Sequence, residues 1–207
     1  MYSLKLNSKY CIIRVDGGNK MQTNIEIEFK TRIKKELYNS LIDEFNLSYN
    51  VFRQVNHYFD NDNLDLMKQK IVLRIRQKKE NFFKITLKSQ KEKKAFESHI
   101  IIDKYQAQNM LKNGFNISKF FPEYDLEVKF IASLENYRAK MNYEEGVLFL
   151  DKCLYGSKED YEIEYEVNDY EQGKKSFDRL LQKYNIKPLK TIRKSERAIQ
   201  TISKKEK

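Results

Sequence analysis

Strict alternation of apolar and charged residues marks the segment Ile25-Glu26-Ile27-Glu28-Phe29-Lys30. With a side-chain period of two, a strand here puts Ile25, Ile27 and Phe29 on one face and Glu26, Glu28 and Lys30 on the other. The alternation recurs down the chain. In residues 51–60, Gln54, Asn56 and Tyr58 alternate with Val55, His57 and Phe59; Leu73-Arg74-Ile75-Arg76 puts both arginines on one face. Lys84-Ile85-Thr86-Leu87-Lys88 does the same with two lysines, and residues 95–102 align Glu97 with His99. Residues 125–141 form a long strand pattern with Arg138 near its end, followed by 147–151 and by Tyr161-Glu162-Ile163-Glu164-Tyr165-Glu166-Val167. Polar breaks at 61–63, 77–81, 144–146 and Gly156 separate these runs as turns.

A four-residue period appears in three places. Ile33, Leu37, Leu41 and Phe45 predict an amphipathic helix with Thr31 placed to cap it. Residues 103–111 read as a short helix closed by Gly114. Asp169 and Gln172 predict a capping box ahead of the stripe Phe177, Leu180, Leu181 and Tyr184, with Pro188 as the stop. About eight strands in mostly hairpin order with a few helices make an α+β fold with antiparallel neighbours.

The sign of the charges constrains how those strands assemble. Side chains two apart on a strand lie roughly 7 Å apart, so paired like charges repel by about 0.6 kcal/mol in water and by more where solvent is restricted. Acids on the first and last strands and bases on the middle ones are therefore costly on an open sheet. A closed antiparallel barrel of about eight strands has an interior just wide enough for side chains or one small ligand. With charged faces inward and apolar faces outward under the helices, the chain encloses a wet tunnel with a basic and an acidic wall. Such a tunnel asks for a ligand that is both anionic and metal-bearing, and a triphosphate with Mg²⁺ or Mn²⁺ is both.

Composition bounds the rest. The 207 residues suit one well-buried domain, and 40% hydrophobic with 34% charged residues is an ordinary globular balance. No apolar run approaches the roughly 18 residues of a membrane span, and no signal-peptide pattern follows Met1, so no membrane partner and a cytoplasmic location are expected. Cys11 and Cys153 lack metal-type spacing and read as free thiols. A net charge of +10 calls for an anionic partner. Hydrolysis by a metal-activated water in such a tunnel rests on charge neutralisation and positioning and requires neither a Ser nucleophile nor a Gly-rich loop, and the sequence shows no GxxxxGK[ST] and no Ser/His/Asp grouping. Residues 1–23 read as an N-terminal extension and 201–207 as a basic tail. Gly17-Gly18-Asn19-Lys20-Met21 is what translation of a purine-rich ribosome-binding sequence before a start codon would give, so two readings stand side by side: Met21 as the natural start, or a real but poorly ordered N-terminal arm.

Glu26-x-Glu28-x-Lys30, Arg74-x-Arg76, Thr86-x-Lys88 and the late alternating glutamates, in that order, resemble the CYTH superfamily, also called triphosphate tunnel metalloenzymes. The resemblance covers nearly the whole chain from Asn24, so residues 24–200 are expected to form one CYTH-like domain, an eight-stranded antiparallel closed tunnel with helices outside. It implies catalytic roles for Glu28, Lys30 and Arg138, and substrate contacts from Lys30, Arg74, Arg76, Lys84, Lys88, Arg138, Lys190, Lys194 and Arg197. It implies metal ligands among Glu26, Glu28, Glu97, Asp151, Glu162, Glu164 and Glu166, with Glu164 and Glu166 favoured as the late pair. The departure is Asn136, where some members carry a second base. The implied activity is divalent-metal-dependent hydrolysis of a triphosphate-containing small molecule. The absence of Trp leans toward inorganic triphosphate, though Tyr and Phe remain able to hold an organic ring. Class IV-like adenylyl cyclase chemistry is the alternative enzyme. A non-catalytic polyphosphate- or nucleotide-binding module is the alternative from another class; nucleic acid is disfavoured because the bases share faces with metal-type acids.

Overall fold

The computed structural model describes residues 10–14, 20–91, 94–189 and 192–202. Ten strands form in chain order: β1 (Tyr10–Arg14), β2 (Lys20–Ile33), β3 (Phe52–Asp60), β4 (Ile71–Lys79), β5 (Phe82–Lys91), β6 (Lys94–Ile102), β7 (Phe115–Asn116), β8 (Glu127–Tyr143), β9 (Gly146–Tyr155) and β10 (Lys158–Val167). Five helices are α1 (Lys35–Glu44), α2 (Asp65–Lys68), α3 (Lys104–Asn113), α4 (Tyr170–Lys183) and α5 (Lys194–Gln200). Strand order β2-β10-β9-β8-β3-β4-β5-β6 returns to β2 through a β2–β6 pairing, closing an eight-stranded antiparallel barrel. β1 lies outside that ring on β2, matching Tyr10 to Asn24, and β7 adds two residues beside β8. The sheet thus reaches upstream of Asn24, where the alternation begins.

Two apolar layers clothe the barrel. Ile75, Ile85, Leu87, Ile100 and Ile102 pack under Ala107 and Met110 of α3 and under Phe115, Ile117 and Phe121. Ile27, Leu148, Leu150, Ile163 and Tyr165 pack under Tyr38, Leu41 and Ile42 of α1 and Phe177, Leu180 and Leu181 of α4. Each fully buried Leu or Ile is worth about 1.5–3 kcal/mol against exposure, so the outer cores hold the ring shut. With these side chains facing out under helices, the charged alternates face in.

The third apolar cluster lies inside the ring. Tyr58, Ala132, Leu134, Cys153 and Tyr155 share the inward faces of their strands and pack against Ala198 and Ile199 of α5. This helix therefore seats in one end of the barrel and fills it. Cys153 is a free, buried thiol, as expected, while the side chain of Cys11 lies outside the described residues.

Some local expectations are corrected. Thr31 does not cap α1: it stays in β2, fully buried, where its hydroxyl donates weakly to the Arg32 carbonyl at 3.4 Å and accepts from the Leu189 amide at 3.0 Å. The cap position falls on Lys34, which makes no side-chain cap, because the strand pairing with β10 continues to Ile33. Pro188 does not stop α4; the helix ends at Lys183, and Asn185 takes a left-handed φ of 51°. Residues 77–81 are not all connection, since β4 runs to Lys79 through a bulge between Gln77 and Lys79. Asp103 and Gln106 form a reciprocal capping box on α3, and the Asp169 carboxylate accepts the Gln172 amide on α4.

Candidate functional site: a charged bore

Ladder register places the expected residues in one continuous interior. Around the ring, Arg138 lies opposite Asp151, Asp151 opposite Glu162, Glu166 opposite Glu28, Asn24 opposite Glu97, Glu97 opposite Lys88, Lys84 opposite Arg76 and Arg76 opposite Asn56. Every one of these positions belongs to the inward set of its strand. Their charges fall into three groups.

The first group fills the α5 end. Arg138 donates to both oxygens of Asp151, at 2.7 and 2.5 Å, and also to Glu164. Lys194, on the first turn of α5, reaches Asp151, Glu164 at 2.6 Å and Glu162 at 3.4 Å. Arg197 lies 2.8 Å from Glu162 and 3.4 Å from Asp160. Burial favours neutral Glu162 and Glu164 repels its charge; together they outweigh the pull of Lys194 and Arg197 and push its carboxyl up to about 7. Glu164 goes the other way despite its burial, held well below the carboxylate range by Lys194, Arg138 and Lys30.

The second group is Glu26, Glu28 and Glu166, each offering a carboxylate oxygen within 4.8 Å of the others. Burial and the neighbouring charge of Glu26 push Glu166 up to about 7. Burial also raises Glu26 against the pull of Lys88, whose ammonium donates to it at 2.5 Å. Lys30 donates to Glu28 at 2.8 Å; burial and Glu164 oppose ionisation of Glu28, but Lys88 and Lys30 bring it below its ordinary value. Three converging hard oxygen donors, two of them raised chiefly by burial, fit a divalent cation such as Mg²⁺ or Mn²⁺.

The third group is the basic wall. Arg74 donates to Glu97 at 3.3 and 3.4 Å, and Lys84 lies 4.0 Å from the same carboxylate. Among the described residues, the hydrogen-bond partner of the Arg76 guanidinium is the Asn56 side-chain oxygen, at 2.8 Å. Burial and the charge of Arg74 bring Arg76 down to about 10, and burial brings Lys84 down to about 8 against the pull of Glu97. One acid shared among four bases holds Glu97 ionised far below its usual range, and leaves this wall in cationic excess.

The bore thus collects every expected site residue within the described chain; Lys190 lies outside the described residues. It also separates them. Glu97, Asp151, Glu162 and Glu164 sit in ion pairs with bases; Glu26 and Glu28 also pair, with Lys88 and Lys30, but with Glu166 they bring three carboxylate oxygens within 4.8 Å of one another. Gln54, Asn56 and Tyr58 are buried inward residues whose alternation was legible, although their polar caps on the bore were not assigned. Lys78 and Lys140 were missed: both are exposed and have no acidic partner among the described residues. Lys78 was hidden by reading 77–81 as a connection. Lys140, two residues beyond Arg138, carried a signal in its parity. Neither histidine joins the charge clusters. His57 shares a hydrogen bond with Ser133 at 2.7 Å, and His99 one with Gln22 at 2.9 Å.

A closed antiparallel ring with acids facing bases across its bore defines a class of protein, the charged-tunnel barrels. The family model for the CYTH domain matches residues 24–199, and the chain belongs to that family. Among curated relatives it is 31% identical over 183 residues to "Putative triphosphatase YjbK" of Bacillus subtilis (strain 168), covering 84% of this chain and 94% of that protein. Among solved structures it is similar to one described as a putative adenylate cyclase from Bacillus halodurans. That likeness has 32% identity and a TM-score of 0.77, covering 84% of this chain and 97% of the other. The fold is shared with HpAC1 from Hippeastrum, described as a putative adenylyl cyclase with a dominant triphosphatase activity. There the identity is 22% and the TM-score 0.66, covering 86% and 95% of the two chains.

Proposed function

We propose that the protein is a divalent-metal-dependent hydrolase of triphosphates that works inside this bore. The observation carrying the reading is the opposition of two walls: three carboxylates within 4.8 Å of one another lie beside a base cluster in which Arg74, Arg76 and Lys84 have the single acid Glu97 among them and Lys88 bridges to Glu26. A polyanion with a cation along its edge neutralises both walls at once. The description of YjbK as a putative triphosphatase and the dominant triphosphatase activity of HpAC1 point the same way, as does YjbK's near full-length match.

Glu26, Glu28 and Glu166 would hold the cation. Mg²⁺ or Mn²⁺, when bound, supplies charge neutralisation and a water acidified enough to act as nucleophile. Arg74, Arg76, Lys84 and Lys88 bind the phosphate oxygens, with the guanidinium groups suited to bidentate contacts. Lys30 and Arg138 complete the ring of cations at the level of Glu28 and Glu164. Because phosphoryl transfer proceeds through a loose transition state, the residues contribute mainly alignment and charge stabilisation. Attack of water on the terminal phosphorus breaks one phosphoanhydride bond and releases orthophosphate. Asp151, Glu162 and Glu164, already claimed by Arg138, Lys194 and Arg197, orient those bases instead of meeting the cation.

A phosphate-release screen with inorganic triphosphate and organic triphosphates, with Mg²⁺ or Mn²⁺, tests the reading. Hydrolysis is expected with either metal and none with chelator. Glu28→Gln is expected to lower kcat by at least about a hundredfold with the thermal transition retained. Retained turnover in that variant removes Glu28 from the site. Cyclic AMP from ATP in place of orthophosphate assigns the bore to cyclase chemistry.

A further inference from the structure

Three neighbouring strands, β3, β4 and β5, each carry a buried donor that the folded chain leaves unpaired. Gln54, on the inward face of β3, is 1% exposed, and its side-chain nitrogen Nε2 is buried with no hydrogen bond among the described residues. The two amides beside it do not take that donor. The Asn56 oxygen accepts from Arg76 at 2.8 Å, and the oxygen of Asn136, opposite Gln54 in the ladder, accepts from the Cys153 thiol at 3.9 Å. Arg74 Nε on β4 and Thr86 Oγ1 on β5 are likewise buried and unpaired, and these two residues lie opposite each other.

Register fixes where the Gln54 donor lies. On β3, Asn56 is opposite Arg76 and Phe52 is opposite Arg138, so Gln54 falls between the levels of the two guanidinium groups. α5 fills the bore on the Tyr58 side, and the other mouth lies toward the exposed Lys78 and Lys140, two residues beyond Arg76 and Arg138 along their strands. A buried donor without a partner costs stability, whereas an apolar side chain of similar size in its place does not. Inward positions on the adjoining strands accept apolar residues, as Leu134 and Cys153 show. Packing therefore does not call for an amide at position 54. What an amide between two guanidinium groups supplies is a neutral N–H donor for an anionic oxygen that both of them attract.

We propose that Gln54 is a substrate-contacting residue whose Nε2 donates to a non-bridging oxygen of a phosphate chain lying between Arg76 and Arg138. The inference rests on the tunnel reading above and deepens it by one residue. The guanidinium groups neutralise the chain; the amide adds direction without charge, and so fixes how the chain is turned about its own axis. Hydrogen bonds to an ionised oxygen are stronger than neutral ones, and burial at 1% exposure keeps water from competing for this one. An oxygen outside the bond being broken carries its charge throughout the reaction. The contact is then made in ground and transition states alike, and its loss appears in KM more than in kcat.

The test uses Gln54→Met, close in size but without a donor, and Gln54→Glu, close in shape but an acceptor. Calorimetric titration with inorganic triphosphate in the presence of chelator reads binding without turnover, and thermal unfolding of the chain alone reads the cost of the amide. Gln54→Met is expected to unfold at or above the wild-type midpoint and to bind triphosphate about tenfold more weakly, with Gln54→Glu weaker still. With Mg²⁺ present, Gln54→Met is expected to raise KM about tenfold and to leave kcat within about threefold of wild type. Triphosphate affinity equal to wild type in either variant overturns the proposal. So does a lowered midpoint in Gln54→Met, which would make the amide part of the scaffold. Failure of the tunnel reading looks different and takes the proposal with it: wild type then binds no triphosphate, and Glu28→Gln leaves phosphate release intact.

Discussion

At the residue scale, the bore works by assigning each carboxylate a different neighbourhood. Glu162 illustrates the consequence, because it is 1% exposed and shares its surroundings with Glu164 as well as with Lys194 and Arg197. Its folded-state carboxyl titrates at about 7 against an ordinary 4.5. Between those two values the folded chain holds a proton that the unfolded chain has released, so this group's contribution to stability falls as pH rises through the window. Glu162→Gln removes the titration. The difference in unfolding free energy between variant and wild type is expected to shift in the variant's favour by about 2–3 kcal/mol between pH 4.5 and 7. Urea unfolding of both proteins at several pH values measures it; parallel stability curves would show that Glu162 is ionised throughout. The residue types of the bore were legible from alternation alone, because a strand's period fixes which side chains share a face. Their partners were not: Lys194 is 43 positions from Asp151 and 30 from Glu164, and no local window brings them together.

Elements differ in how plainly they announce themselves. β2, β4, β5 and β10 follow directly from alternation, and α3 and α4 from their caps and stripes. α5 did not, although it decides which end of the bore is closed. Its seven residues, KSERAIQ, are too short to show helical periodicity and too polar to read as core. What buries it is the inside of the barrel, where Arg197 is 4% exposed between Asp160 and Glu162. Removing one partner of a buried pair leaves the other charge stranded, at a cost of about 3–5 kcal/mol. Arg197→Ala is therefore expected to lower the denaturation midpoint by that equivalent and to loosen α5 first. Faster amide exchange at residues 196–200 than in α4 would report it, whereas a loss spread evenly over the molecule would mean the helix is held by Ala198 and Ile199 instead.

For the whole molecule, net charge and its placement govern how a polyanion arrives. The chain carries +10, and Lys78 and Lys140 stand exposed on either side of the same mouth with Arg76 and Arg138 behind them. A cationic mouth over a low-dielectric bore steers anions in, and the effect is screened by salt over about 10 Å at 0.1 M. KM for a triphosphate is expected to rise several-fold between 50 and 300 mM salt, on the order expected for steering by a few charges. The double variant Lys78→Ala with Lys140→Ala is expected to raise KM at low salt and to flatten that dependence. A salt response identical to wild type would place the steering elsewhere.

By itself the sequence determined the strand faces, the sign of charge on each, and hence a closed α+β barrel with those charges inside, because alternation and like-charge repulsion act between near neighbours in the chain. Tertiary structure alone decided which end α5 fills, and which three acids converge to within 4.8 Å of one another. Both outcomes depend on α5 returning from the end of the chain and on the β2–β6 seam closing in register, and attraction between charges is set by distance through space across the bore, which no local stretch of sequence specifies.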